Sequence, residues 1–170
     1  MSDLFSNSLE DKGAQTPLFQ PLAERARPKQ IDEFYGQSKF LGHGKLLRDL
    51  LSADRVPSLI LWGPPGCGKT TFANLISQSS KALFVNRSAI DTGAKDLKEE
   101  GEGAKQRLER FGERTILFID EIHRLNKSQQ DCLLPYIEKG YFSLIGATTE
   151  NPSFELNSAL LSRCRLIVFE

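Results

Sequence analysis

Between the apolar run Ser58-Leu59-Ile60-Leu61-Trp62 and a stretch with helical spacing from Lys69 to Gln78 stands Gly63-Pro64-Pro65-Gly66-Cys67-Gly68-Lys69-Thr70. No other part of the chain restricts the fold as tightly. The run before it is too short for a helix and shows no polar alternation, which reads as a strand buried on both faces, the kind found in parallel sheets. The glycines let successive backbone N–H groups turn inward, and a helix starting directly after them adds the positive end of its dipole, so the turn suits phosphate oxygens. Its spacing fits G-x-x-x-x-G-K-[ST], in which Lys69 reaches the β and γ phosphates of a nucleotide and Thr70 offers its hydroxyl to Mg²⁺. Gly63, Pro64, Pro65, Gly66, Cys67, Gly68, Lys69, Thr70 and the following Thr71 are therefore the expected ATP contacts.

Similar apolar runs recur at Ala82 to Val85, Thr115 to Ile119, Phe142 to Ala147 and Leu166 to Phe169. Helix-like segments lie between them, from Ala94 to Arg110 and from Gln129 to Glu138, and an amphipathic one precedes the first run, from His43 to Ser52. Ser128 with Asp131 resembles a capping box, and Gly140 supplies a stop. Strands alternating with helices imply right-handed crossovers, hence an α/β fold: a three-layer αβα P-loop NTPase with a five-stranded parallel sheet. Gly101 and Gly103 each cost about 1 kcal/mol against Ala inside a helix, so the second helix is expected to break or loosen there.

Composition narrows the rest. The chain has 170 residues, 22 Lys+Arg against 22 Asp+Glu, and 39% hydrophobic residues, which suits one domain with an ordinary core and removes the polybasic readings. Residues 1–21, with Pro17 and Pro21 and scattered apolar pairs, read as a flexible arm ahead of a core spanning 22–170. No apolar run approaches the length of a membrane span and no secretory signal is visible, so a cytoplasmic location is expected. Cys67, Cys132 and Cys164 lack metal-site spacing and read as free thiols, with Cys132 buried in a helix. Charges interleave from Lys95 to Arg114 as on a solvated helix face, and no basic stripe with aromatics marks a nucleic-acid groove.

Two further strand ends carry chemistry. Asp120-Glu121 follows Thr115 to Ile119, at the C-terminal end of a strand, where open α/β sheets bind ligands. Asp120 is expected to hold Mg²⁺, and Glu121 to polarise the attacking water. Thr148-Thr149-Glu150-Asn151 ends the next strand, whose polar tip can sense the γ phosphate, although Asn151-Pro152 would open a loop in any case. Arg163, before the last strand, is on its own residues a solvated surface arginine; the other reading is a finger reaching a neighbouring subunit's nucleotide.

Together these residues resemble the clamp-loader-like AAA+ ATPases. The likeness narrows at Pro21-Leu22-Ala23-Glu24-Arg25-Ala26-Arg27-Pro28, Tyr35-Gly36-Gln37, the stretch from His123 to Asp131 and the long string from Gly146 to Asn157, which resemble the replication-associated recombination protein A (RarA/MgsA) family, relatives of the Werner-helicase-interacting ATPase. The resemblance implies an adenine pocket near Arg27, Tyr35, Gly36 and Gln37, Thr149 as first sensor and Arg163 as the trans-acting finger. It also implies a homotetrameric, DNA-stimulated ATPase at stalled replication forks, with single-stranded-DNA-binding protein as a partner. That family continues into a helical lid and an oligomerisation domain, whereas this chain stops at Glu170. An N-terminal fragment, mostly monomeric and slow in turnover, is the corresponding expectation.

Two other readings stand beside this one. Asp120-Glu121-Ile122-His123 also spells the D-E-x-H box of helicases, but these need a second parallel-sheet domain for which the chain has no residues. A nucleotide-binding interaction module that does not turn ATP over differs only in activity.

Overall fold

The structure, a computed structural model, describes Pro28, Arg48, Asp49, Leu51 and residues 53–170. The expected arm, Arg27, Tyr35, Gly36, Gln37 and most of the expected helix from His43 to Ser52 lie outside these described residues; Arg48, Asp49 and Leu51 are helical. Five parallel strands, β1 (Leu59–Trp62), β2 (Leu83–Ser88), β3 (Thr115–Asp120), β4 (Phe142–Thr148) and β5 (Arg165–Val168), form one sheet in the order β2-β3-β4-β1-β5. Helices α1 (Lys69–Ser79), α2 (Ala94–Phe111) and α3 (Lys127–Glu138) supply crossovers, and two short helices, α4 (Pro152–Glu155) and α5 (Ser158–Leu161), lead into β5.

Strand alternation sorts the core into two layers. Leu59, Leu61, Ile116, Phe118, Ile145 and Ala147 turn to one face, where Phe72, Ala73 and Ile76 of α1 meet them. Ile60, Leu117, Ile119 and Leu144 turn to the other, against Leu97 and Ala104 of α2 and Leu133 of α3. Each Leu, Ile or Phe removed from water this way contributes roughly 1.5–3 kcal/mol, so the central strands anchor the loops at their ends. The edges differ from the sequence expectation. Arg165, Leu166 and Val168 of β5 are exposed, as are Leu83, Asn86 and Arg87 of β2, because edge strands have a neighbour on one side only.

Several local expectations also need correction. β2 runs to Ser88, past its apolar part, because Asn86, Arg87 and Ser88 still pair with Phe118, Ile119 and Asp120. α3 starts two residues before the expected Gln129: the cap is Asn126, whose side chain accepts from the Gln129 N–H (2.9 Å) while the Gln129 side chain accepts from the Asn126 N–H (2.8 Å). Ser128 and Asp131 are therefore inside the helix. Asn151-Pro152 opens α4 rather than a loop, with Asn151 as N-cap.

α2 is unbroken across Gly101 and Gly103. At Gly101 a Cβ would lie 2.5 Å from the Tyr136 ring of α3, so the glycine is a socket that lets the two helices close. On the same helix Arg107 departs from the solvated face, sending Nε to the Thr115 hydroxyl at 3.2 Å. The three cysteines are free; Cys132 is half-buried rather than buried, and burial pushes the Cys164 thiol up to about 12. Among the described residues no helix is long and apolar enough to cross a membrane.

Candidate functional site

β1 ends at Trp62, and the chain then turns through Gly66 at φ +77° and Gly68 at φ +97° into α1. Both angles are left-handed, where a Cβ is costly, so the two glycines are what allow the turn. Gly63 is needed for another reason: a Cβ there would stand 2.5 Å from the Phe169 carbonyl oxygen, just beyond β5. Its N–H donates to Thr148 O at 3.3 Å, tying the loop to the tip of β4.

Lys69 is 8% exposed and lies within this turn. Its Nζ donates to the carbonyls of Gly63 and Pro64, each at 2.8 Å, and is 3.7 Å from Cys67 Sγ. The ammonium is thus held at the concave side of the loop by neutral acceptors alone. Pro64, Pro65, Gly66 and Thr70 are exposed at the rim, while Cys67, Gly68 and Thr71 are half-buried.

The acidic pair stands at the tip of β3, two strands from β1, with β4 between them. Asp120 Oδ1 accepts the Glu121 N–H at 3.0 Å, and the Asp120 carbonyl accepts the Ala89 N–H at 3.0 Å, which ties it to the end of β2. Glu121 has φ +53° and ψ +43°, a left-handed conformation that costs a non-glycine residue about 1–2 kcal/mol. The turn after it, a 3₁₀ helix over Ile122–Arg124, aims the neighbouring side chains differently. Ile122 is buried against Gly146, where a Cβ would meet its Cδ1 at 2.6 Å. His123 turns back, placing Nε2 3.2 Å from Glu121 Oε2 and Nδ1 2.9 Å from Thr148 Oγ1.

Thr70 contributes a hydroxyl and Asp120 a carboxylate, both hard oxygen donors suited to Mg²⁺, which takes few protein ligands and leaves room for water and phosphate oxygens. The donor chemistry therefore fits the implied ion. Thr149 is half-buried at the same end of the sheet, directly after β4. The loop, the acidic pair and Thr149 are thus gathered at the C-terminal ends of three adjacent strands.

Arg163 is elsewhere. It precedes β5, whose Arg165 pairs with Leu59 at the start of β1, so it lies at the N-terminal end of the strands, opposite the phosphate loop. Its guanidinium pairs with Glu138 and donates to the Ala159 carbonyl at 2.7 Å and to Ser162 Oγ at 3.1 Å.

Much of the Gly146 to Asn157 string is scaffolding. Asn151 and Asn157 cap α4 and α5, and Gln130, 1% exposed, donates to the carbonyls of Leu125 and Glu155 and accepts the Asn157 N–H at 2.8 Å. From the residues alone His123 stood only in the D-E-x-H spelling and the family stretch, and Thr148 only in the polar strand tip, with nothing to pair them; their signal was a polar residue two places after the glutamate and another at a buried strand end. A hollow of about 360 Å³ beside β2 is lined by Asp91, Asp96, Glu99 and Glu100 with Arg87, and its acidic lining does not suit a phosphate.

Residues 59–170 match the family described as ATPase family associated with various cellular activities (AAA). Replication-associated recombination protein A of Escherichia coli K12 is 52% identical over 152 residues, 89% of this chain and 34% of that protein. The ATPase WRNIP1 of Dictyostelium discoideum is 52% identical over 152 residues, 89% of this chain and 17% of that protein. Among solved structures, the Thermotoga maritima RuvB Holliday junction branch migration motor superposes with a TM-score of 0.62 at 33% identity, covering 85% of this chain and 48% of that one. The chain thus spans about a third of the bacterial recombination protein and less of the slime-mould one. With the phosphate loop, the acidic strand tip and the five-stranded parallel sheet as its own credentials, this chain belongs to the AAA family of ATPases.

Proposed function

We propose that the chain is the core of an ATPase that binds Mg·ATP at the Gly63–Thr71 turn and hydrolyses it, in the service of DNA replication and recombination. The observation that carries this reading is the Lys69 ammonium held inside the glycine turn at the same sheet end as Asp120 and Glu121. Carbonyl acceptors hold the lysine weakly compared with phosphate oxygens, since a hydrogen bond charged on both sides is roughly twice as strong as a neutral one. Lys69 therefore exchanges Gly63 O and Pro64 O for the β and γ phosphates, and the N–H groups of the turn orient the same oxygens. Thr70 and Asp120 would hold Mg²⁺, which would supply positive charge against the charge developing on the phosphates. Glu121 accepts the proton of the attacking water at its carboxylate, and Thr149 donates to the γ phosphate from the strand tip between the two halves of the site.

Arg163 is read as acting on a neighbouring copy's nucleotide, since its position at the far end of the strands argues against a role in its own loop. Residues 22–170 make up the ATPase core in this reading, with Arg27, Tyr35, Gly36 and Gln37 around the adenine and residues 1–21 as an arm. DNA as a partner follows from the likeness to the recombination protein and the branch migration motor, and forks, single-stranded-DNA-binding protein and a homotetramer follow from the family resemblance. A location in the cytoplasm, or with the DNA, goes with that role.

Glu121→Gln tests the reading. The amide keeps the shape but takes up no proton, so nucleotide affinity by calorimetry should stay near the wild-type value while turnover falls about a hundredfold or more, the usual contribution of general base catalysis. Lys69→Ala should lose affinity instead. Hydrolysis by Glu121→Gln at the wild-type rate refutes the assignment.

A further inference from the structure

We propose that His123 is a positioning residue for Glu121: an imidazole carrying hydrogen on Nε2 that holds the carboxylate and links it through Thr148 to the tip of β4. The inference rests on the reading of Glu121 as the base. Nε2 stands 3.2 Å from Glu121 Oε2, an ion-pair distance, and because a carboxylate only accepts, so close an approach favours hydrogen on Nε2. Nδ1 lies 2.9 Å from the Thr148 hydroxyl, and with the one ring hydrogen on Nε2 it accepts from that hydroxyl. That hydroxyl oxygen in turn accepts the Glu150 N–H at 3.1 Å. Its hydrogen has a second available acceptor, the Glu150 carbonyl, but at 3.3 Å against 2.9 Å to the ring. The contacts run from the Glu150 N–H through the Thr148 hydroxyl to the His123 ring, and from its Nε2 on to the Glu121 carboxylate at 3.2 Å.

Burial grades along this chain, with Thr148 1% exposed, the His123 side chain 13% and that of Glu121 37%. The inner members are buried and the carboxylate is the most exposed of the three. Because Oε2 is engaged by the ring, Oε1 is the oxygen left to take a proton. Backbone placement reinforces this: Glu121 is in the left-handed region, and the buried Ile122 between it and His123 sits on Gly146. β4 therefore holds the acidic turn at two points, by packing at Gly146 and by hydrogen bonding at Thr148. A displacement of the strand tip next to Thr149 shifts the imidazole and, with it, the carboxylate.

Thr148→Val keeps the shape and removes only the hydroxyl; Thr148→Ser restores it. With the ring no longer fixed, kcat for ATP should fall about tenfold in Thr148→Val while KM changes by less than about threefold, the loss of one well-placed hydrogen bond felt only in the transition state. Thr148→Ser should recover most of the rate. Long-range ¹H–¹⁵N spectra give a readout independent of turnover: the chain has 2 His, and comparison with His123→Ala assigns each. His123 should be the Nε2–H tautomer in the wild type and in Thr148→Ser, and a tautomer mixture in Thr148→Val. If Thr148→Val does not fold, the wild-type tautomer and the kcat of His123→Ala, expected to fall to a similar degree at unchanged KM, carry the test. An Nδ1–H or charged ring in the wild type, or a full rate in the valine variant, overturns the inference. Full turnover by Glu121→Gln instead overturns the assignment of the base and leaves the tautomer result standing.

Discussion

Substituting Ala for each of the two glycines of α2 should have opposite effects. In the helix interior Gly→Ala gains about 1 kcal/mol from backbone entropy and propensity alone. At Gly103 the new Cβ would meet Arg107 Nη1 at 3.2 Å, the far end of a long side chain that yields by a few tenths of an ångström. Gly103→Ala should therefore keep most of the gain, about 0.5–1 kcal/mol. At Gly101 three atoms of the Tyr136 ring stand 2.5 to 2.6 Å from the Cβ position, nearly 1 Å inside normal contact. That ring cannot swing away easily, since it stacks on Phe142 at 6.1 Å, leans on Tyr141 at 6.4 Å and donates its hydroxyl to Glu102 at 3.0 Å. Overpacking of this kind costs about 1–3 kcal/mol, leaving Gly101→Ala destabilised by about 1 kcal/mol net. The two variants should then differ by about 2 kcal/mol, or roughly 4–8 °C in Tm for a chain of this size. Thermal and urea unfolding followed by circular dichroism measure it. Equal stabilisation in both variants refutes the socket and means that α2 and α3 are free to separate at Gly101.

Two further outcomes follow from the geometry. The Ser80 hydroxyl at 2.5 Å, the Lys81 N–H and the Arg114 guanidinium at 2.6 Å hold the Asp54 carboxyl below its ordinary 3.8, against some desolvation. A depressed acid contributes stability above its unfolded value and loses it as pH falls through the folded one, so Asp54→Asn should cost about 1 kcal/mol at pH 7, and the gap to wild type should narrow below about pH 3.8 in urea midpoints; a gap that is the same at both pH values contradicts the ion pair. Mixing Lys69→Ala with Arg163→Ala protein should restore ATPase activity to at most about a quarter of the interfaces at equal amounts, the fraction that pairs an intact loop with an intact arginine, and two inactive variants that stay inactive at every ratio contradict action between copies.

The glycine turn was legible because its φ angles and its place between a strand and a helix are local properties, written in eight consecutive residues. Asp120 and Glu121 were legible for the same reason, as a carboxylate pair at the end of an apolar run. The capping of α3 was misjudged because two overlapping sets, Asn126 with Gln129 and Ser128 with Asp131, both suit a helix start, and the buried Gln130, tied to Leu125, Glu155 and Asn157, fits the longer helix. Gly101 was read as a weakness because its partner, Tyr136, is thirty-five residues away and only the packing of α2 on α3 brings them together. The pairing of His123 with Thr148 escaped for a like reason: their bond spans twenty-five residues and forms only where β3 and β4 lie side by side.

The placement of the phosphate loop and Arg163 at opposite ends of the parallel strands also sets the symmetry of any assembly that joins them. A two-fold dimer forms such a contact only if the copies lie antiparallel, each loop against the other's arginine; in any other arrangement two different patches meet and the interface is heterologous. Copies then follow one another head to tail. A closed ring completes as many sites as it has subunits, whereas an open arc always leaves one loop without an arginine and one arginine without a loop. Whether the ring is closed is therefore readable as stoichiometry, in the ratio of fully formed sites to chains.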